Sequence, residues 1–235
     1  GNSGKVGITG ISYPGFYTTM GIIDAHPAVV AASPQAPIAD WFIGDDDHHN
    51  GALFLTETFG FFSGFGLSRP QPTTAWRPGF RLPYPDAYRF FLEMGPLANA
   101  DRLYLRDSVA YWKDLMAHPN YDGFWQERST LPHLTRIRPT VLTVGGWFDK
   151  EDLYGALNTY QAIEEKNPKI RNGIVMGPWA HGQWNRDDGE RLGGQDDGEL
   201  VAVDAGHVVT GSHGRGQPGR HGLQHAVAGL AAVLL

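Results

Sequence analysis

The spacing of apolar and polar positions divides the chain into stretches of different character. Near the start, Lys5-Val6-Gly7-Ile8-Thr9-Gly10 puts Val6 and Ile8 on alternate positions, the period of a strand, and a sharp turn is expected at Ser12. Residues 16–25 then read as a helix. His26-Pro27 ends it, because proline lacks the N–H that would continue the ladder. Residues 28–32 (Ala-Val-Val-Ala-Ala) form a short apolar run suited to a buried parallel strand. The same rhythm returns at Pro139. Thr140-Val141-Leu142-Thr143-Val144 reads as a strand ended by Gly145-Gly146. Beyond Asp149, Leu153, Ala156, Leu157, Tyr160 and Ile163 recur at helical spacing. Gly173-Ile174-Val175-Met176 is a further strand, ended by Gly177-Pro178, and His181 follows it.

Residues 50–138 follow neither rhythm. They are rich in Phe, Tyr, Trp and Pro, with short helical stretches at 88–94 and 108–116. The chain is therefore expected to be α/β: a core with a mostly parallel sheet in residues 1–49 and 139–194, and a helical cap inserted at 50–138. Residues 195–235 are expected to be irregular. All 7 Trp, 9 Tyr and 12 Phe lie at or before Trp184, and no Lys follows Lys169. The remainder is mainly Gly, His, Arg, Ala and Val without a periodic face, as in a flexible extension or a stretch foreign to the fold such as a shifted reading frame.

Composition narrows the chemistry. With 235 residues, 41% of them hydrophobic, the chain can bury a substantial core. A net charge of −6 and the lack of a Lys/Arg run argue against nucleic acid as a partner. No apolar stretch approaches the roughly 18 residues of a membrane span. The absence of cysteine excludes thiolate zinc sites and cysteine nucleophiles. The chain begins at Gly1-Asn2-Ser3-Gly4 without Met, so an N-terminal address is expected to lie outside it, and a periplasmic or secreted location is compatible. Nothing in the sequence sets an oligomeric state.

Three residues carry the candidate chemistry. Ser12 stands between a strand and a helix in Gly10-Ile11-Ser12-Tyr13-Pro14-Gly15, where a nucleophile elbow needs small neighbours around a strained turn. The pattern departs from G-x-S-x-G: Pro14 occupies the second position after the serine and the glycine comes one later. Asp149 and His181 each follow a strand, giving the chain order Ser, acid, His. Singly, each has a plainer reading, as a turn serine, a helix cap and a loop histidine. Together they fit a triad in which Ser12 attacks, His181 moves the proton and Asp149 orients the imidazole. The backbone N–H of Tyr13 would supply one oxyanion donor. No cofactor is required, and the expected partner is a small ester, an amide or a short peptide.

The same segments carry a resemblance. Gly10-Ile11-Ser12-Tyr13-Pro14-Gly15, Gly146-Trp147-Phe148-Asp149-Lys150-Glu151-Asp152 and Gly177-Pro178-Trp179-Ala180-His181-Gly182 resemble the three catalytic blocks of the X-Pro dipeptidyl-peptidase-like hydrolases. That family includes the cocaine esterases, α-amino-acid ester hydrolases and glutaryl cephalosporin acylases, and the likeness is greatest to the latter two. It runs from Gly1 to about Gly194. It implies a partial α/β-hydrolase core, since relatives carry a further N-terminal part of the core and a C-terminal jelly roll. It also implies that Asp46, Glu151 and Asp152 form a carboxylate cluster for a substrate α-ammonium group. The plainer reading of Glu151 and Asp152 is that they favour the first turn of a helix. Two other readings of the chain stay open. One is a non-catalytic carbohydrate- or peptide-binding protein with an aromatic cap, or an inactive hydrolase fragment. The other is a metal site in Asp45-Asp46-Asp47-His48-His49, although adjacent residues do not readily face one ion and no metal is expected.

Overall fold

A computed structural model describes residues 3–65, 70–74, 79–186, 200–204 and 207–211. In chain order its elements are β1 (Val6–Ile11), α1 (Tyr13–Ile22), β2 (Val29–Gln35), the two-residue strands β3 (His48–His49) and β4 (Ala52–Leu53), α2 (Leu55–Phe62), α3 (Ala87–Met94), a π-helical turn (Ala100–Leu105), α4 (Ala110–Ala117), α5 (Gly123–Gln126), β5 (Thr140–Gly146), α6 (Leu153–Lys166), β6 (Asn172–Gly177), β7 (Leu200–Asp204) and β8 (His207–Gly211). Two units emerge, one made of Gly1–Asp45 and Arg128–Leu235, the other of Asp46–Glu127.

The first unit is a six-stranded sheet in the order β1-β2-β5-β6-β7-β8. The pairs β1–β2, β2–β5 and β5–β6 are parallel; β6–β7 and β7–β8 are antiparallel. Central β5 is buried along nearly its whole length, which explains why Val141, Leu142 and Val144 put apolar side chains on both of its faces. Its two faces feed different clusters. Leu142 and Val144 pack with Ala36, Val175, Trp179 and Trp184, and Ile11 lies against them. Val141 packs with Ile22, Ala32, Leu134, Ile137, Ala162 and Ile163. Helix α6 is wider in its contacts than its apolar spacing suggests. Ala156 and Ile163 are fully buried, whereas Leu153, Leu157 and Tyr160 flank a separate cluster of Ala156, Ile174 and Met176.

Two elements differ from the pattern reading. Helix α1 starts at Tyr13, not at residue 16, and Pro14 lies in its first turn. Proline suits that place, where the missing N–H has no helical partner to lose. Within the stretch expected to be irregular, residues 200–204 and 207–211 form strands β7 and β8. The runs Leu200-Val201-Ala202-Val203 and Val208-Val209-Thr210 are rich in β-branched residues. The ladder on β6 is built from main-chain groups, which a search for aromatics or helical faces does not register. The rest of that stretch, and with it the idea of a shifted frame, lies outside the described residues.

The second unit gathers short helices around aromatic side chains. Buried Phe59 meets Phe80, Phe90, Phe91, Tyr104 and Trp112, with ring centroids 5.4–6.3 Å apart and mostly edge-on. Asp47 is buried and accepts a 2.6 Å hydrogen bond from the Tyr111 hydroxyl. Burial pushes its carboxyl up to about 7, against a smaller downward pull from Tyr111. Between the ordinary carboxylate range and about 7, the folded chain thus holds a proton that the unfolded chain has released. Stability from this group falls as pH rises through that window. The Tm advantage of Asp47→Asn over the wild type should therefore grow between pH 5 and pH 8 in thermal unfolding. An equal difference at both pH values would mean that Asp47 is ionised in the fold.

Candidate active site

Ser12 closes β1 and caps α1 with φ 67° and ψ −124°, a left-handed conformation rare for any residue with a side chain. Its N–H donates to the Gln35 carbonyl at 3.0 Å, and its own carbonyl accepts the Phe16 N–H at 2.9 Å as the first helical bond. The flanking glycines are steric requirements. A Cβ at Gly10 would stand 2.4 Å from Pro14, and one at Gly15 would stand 2.3 Å from the Gln35 carbonyl oxygen. The departure from G-x-S-x-G is thereby explained: the helix crosses the end of β2 at position 15, not at 14. Tyr13 begins the helix, so its amide is among those without a helical acceptor.

Asp149 lies just beyond β5 on a loop laced to the loop beyond β6. Trp147 N–H donates to the Gly177 carbonyl at 2.8 Å, and Phe148 N–H donates to the Trp179 carbonyl at 3.0 Å. The approach is so close that a Cβ on Gly146 would stand 2.1 Å from the Trp179 oxygen. The Asp149 side chain is fully buried. Its Oδ1 accepts the amides of Glu151 at 2.9 Å and Asp152 at 3.0 Å, and its Oδ2 is 2.9 Å from His181 Nδ1. Burial pushes the Asp149 carboxyl up. The His181 hydrogen bond, the His181 charge and the two amides together outweigh it and hold the group below its ordinary value. An ionised Asp149 accepts from His181 Nδ1–H, which leaves Nε2 as the basic nitrogen.

Glu151 and Asp152 crowd the same imidazole. Glu151 Oε2 is 3.6 Å from Nε2 and Asp152 Oδ2 is 3.8 Å from Nδ1. Glu151 is partly exposed and Asp152 is buried. Arg186 Nη2 donates to the His181 main-chain carbonyl at 3.0 Å. Asp46 is the first residue of the second unit, half-buried with φ 45°. Its neighbours Asp45 and Asp47 are committed elsewhere. Asp45 accepts the amides of Ala39 and Asp40 through Oδ2, at 2.8 and 2.9 Å, and that of Gly155 through Oδ1 at 2.7 Å. It thereby ties the loop after β2 to the first turn of α6. The run of three aspartates gave no sign of this division, since only the fold decides which of them meets backbone amides.

Sequence reasoning also missed Gln35 and Trp184. Their side chains meet at 2.8 Å across 149 positions of chain, a contact that no local pattern announces.

Comparison with known proteins places the chain in a family. A family model described as X-Pro dipeptidyl-peptidase (S15 family) matches residues 1–183. Cocaine esterase from Rhodococcus sp. (strain MB1 Bresler) is 24% identical over 184 residues, which are 76% of this chain and 31% of that protein. Among solved structures, an α-amino acid ester hydrolase labelled with selenomethionine superimposes with a TM-score of 0.70 at 33% identity, covering 82% of this chain and 31% of that one. An aminopeptidase from the marine sediment archaeon Thaumarchaeota archaeon gives 0.67 at 34% identity, covering 79% of this chain and 30% of that one. The chain thus spans just under a third of the length of each of these relatives. Its fold is that of an α/β-hydrolase, and the chain belongs to the X-Pro dipeptidyl-peptidase (S15) family.

Proposed function

We propose that the chain carries the catalytic centre of a serine hydrolase acting on esters or amides of small acyl groups, with a preference for α-amino acyl donors. The observation that carries the reading is the 2.9 Å pairing of His181 Nδ1 with Asp149 Oδ2, in a sheet that also bears a strained Ser12 at a strand–helix junction. In this reading His181 Nε2 takes the Ser12 proton as Oγ attacks the acyl carbon. The developing oxyanion is met by the Tyr13 N–H at the head of α1. His181 then protonates the leaving alkoxide or amine, and water repeats the sequence to release the acid. Asp149 stabilises the imidazolium while staying ionised itself. The related α-amino acid ester hydrolase and aminopeptidase both have names that imply an amino group beside the scissile bond. That favours Glu151 and Asp152, which stand side by side at His181, for the ammonium site.

A fluorophosphonate should label Ser12, located by peptide mapping, and labelling at another serine or at none overturns the reading. Substrate charge is tested by Glu151→Gln. Phenylglycine methyl ester should lose about 1–3 kcal/mol in kcat/KM, the range for a hydrogen bond to a charged group, while phenylacetic methyl ester stays nearly unchanged. Equal losses on both esters would mean that Glu151 serves His181, which it approaches at 3.6 Å, and the ammonium role would be dropped.

A further inference from the structure

We propose that Gln35 and Trp184 form a positioning pair that sets the nucleophile elbow against the histidine loop; the inference rests on the Ser–His–Asp reading above. Gln35 is the last residue of β2, in register with Ile11 of β1 and Val144 of β5, so it lies between the two strands that lead to Ser12 and Asp149. Its main-chain carbonyl accepts the Ser12 N–H at 3.0 Å. Its side-chain Oε1 accepts the Trp184 indole N–H at 2.8 Å. One residue therefore holds the backbone of the nucleophile with one oxygen and the segment just beyond His181 with the other.

The side chain is anchored at both ends. Gln35 Nε2 donates to Ser33 Oγ at 3.1 Å and reaches Thr9 Oγ1 at 3.4 Å. Ser33 Oγ in turn donates to the Leu142 carbonyl of β5 at 2.9 Å. Indole N–H is a donor only, so the amide oxygen must face Trp184 and the amide has one orientation. Trp184 is buried in the short 3₁₀ turn Gln183–Asn185, with its ring 5.8 Å from that of Trp179. Trp179 closes the circuit, because its carbonyl accepts the N–H of Phe148, the residue before Asp149. The three loops bearing the triad are thus joined by a chain of contacts that runs through Gln35 and Trp184.

Core filling alone does not call for these residue types. Trp184 belongs to an apolar cluster with Ala36, Leu142, Val144, Val175 and Trp179, where phenylalanine would fill similar space. An apolar contact lacks direction, whereas a hydrogen bond fixes distance and angle. Attack by Ser12 needs such precision, since misplacement by about 1 Å costs on the order of 10²-fold.

The test is a double-mutant cycle of Gln35→Leu and Trp184→Phe in the whole chain. It is read by the rate of Ser12 labelling with a fluorophosphonate and, separately, by Tm. Each single variant leaves a polar partner unsatisfied, so each should lower Tm and slow labelling roughly ten-fold or more. The double variant removes both partners. Its Tm should recover towards the wild-type value while labelling stays as slow as in the worse single variant. Recovery of labelling together with Tm would show that the pair serves only stability, and single variants within two-fold of the wild-type rate would overturn the proposal directly. Failure of the wild type to label at Ser12 is a separate outcome that removes the hydrolase reading and this inference with it.

Discussion

Replacing Ser12 by alanine should lower kcat for an ester substrate by roughly 10⁴-fold or more, the scale on which loss of a triad member acts. The reason is chemical, not structural. Alanine has no oxygen to attack the acyl carbon, yet the main-chain bonds from Ser12 N–H to Gln35 and from Phe16 N–H to the Ser12 carbonyl both survive. The fold should therefore persist and substrate should still bind. His181→Ala should be comparably severe, because without Nε2 the hydroxyl keeps its proton. The double variant should be little worse than either single one, since the two groups act in one step. Steady-state kinetics on phenylglycine methyl ester checks all three variants. Activity of Ser12→Ala within ten-fold of the wild type would end the serine mechanism.

The second large effect is on stability. Gly155→Ala in α6 should destabilise the protein by several kcal/mol, roughly 3–5, the upper range of single substitutions. Alanine favours a helix interior over glycine by about 1 kcal/mol, so propensity alone predicts the opposite sign. Packing decides. A Cβ at position 155 would stand 1.8 Å from the Pro37 carbonyl oxygen and 3.0 Å from both Asp45 carboxylate oxygens. The main chain cannot yield there without breaking the 2.7 Å bond from Gly155 N–H to Asp45. Gly60→Ala in α2 is the control, because no atom of the described residues lies within 4 Å of its added Cβ, and it should be neutral or stabilising. Thermal unfolding of the two variants side by side gives the sign of each. A stable Gly155→Ala would mean that α6 can move away from the loop after β2.

Much of the candidate site was legible because each of its loops ends an apolar run. Val6 and Ile8 lead to Ser12, 140–144 to Asp149 and 173–176 to His181, so strand patterning and candidate chemistry pointed to the same three places. The roles within Asp45-Asp46-Asp47 were not legible. One binds three amides and another a tyrosine hydroxyl, and such partners depend on residues as distant as Gly155 and Tyr111. The start of α1 was misjudged because Pro14 reads as a helix breaker unless its place in the first turn is already known. Strands β7 and β8 escaped because a main-chain ladder on β6 needs no distinctive side chain.

The left-handed backbone at Ser12 sets chemistry and durability at odds. Only glycine adopts φ 67° together with ψ −124° without strain, so the residue best suited to the backbone at this position is one that could not serve as the proposed nucleophile. Relief of such strain is worth on the order of 1–3 kcal/mol, a sizeable part of a domain's net stability. Selection for thermal robustness alone would therefore favour glycine at position 12. A lineage that lost the need for the proposed hydrolysis would be expected to lose Ser12 before its fold.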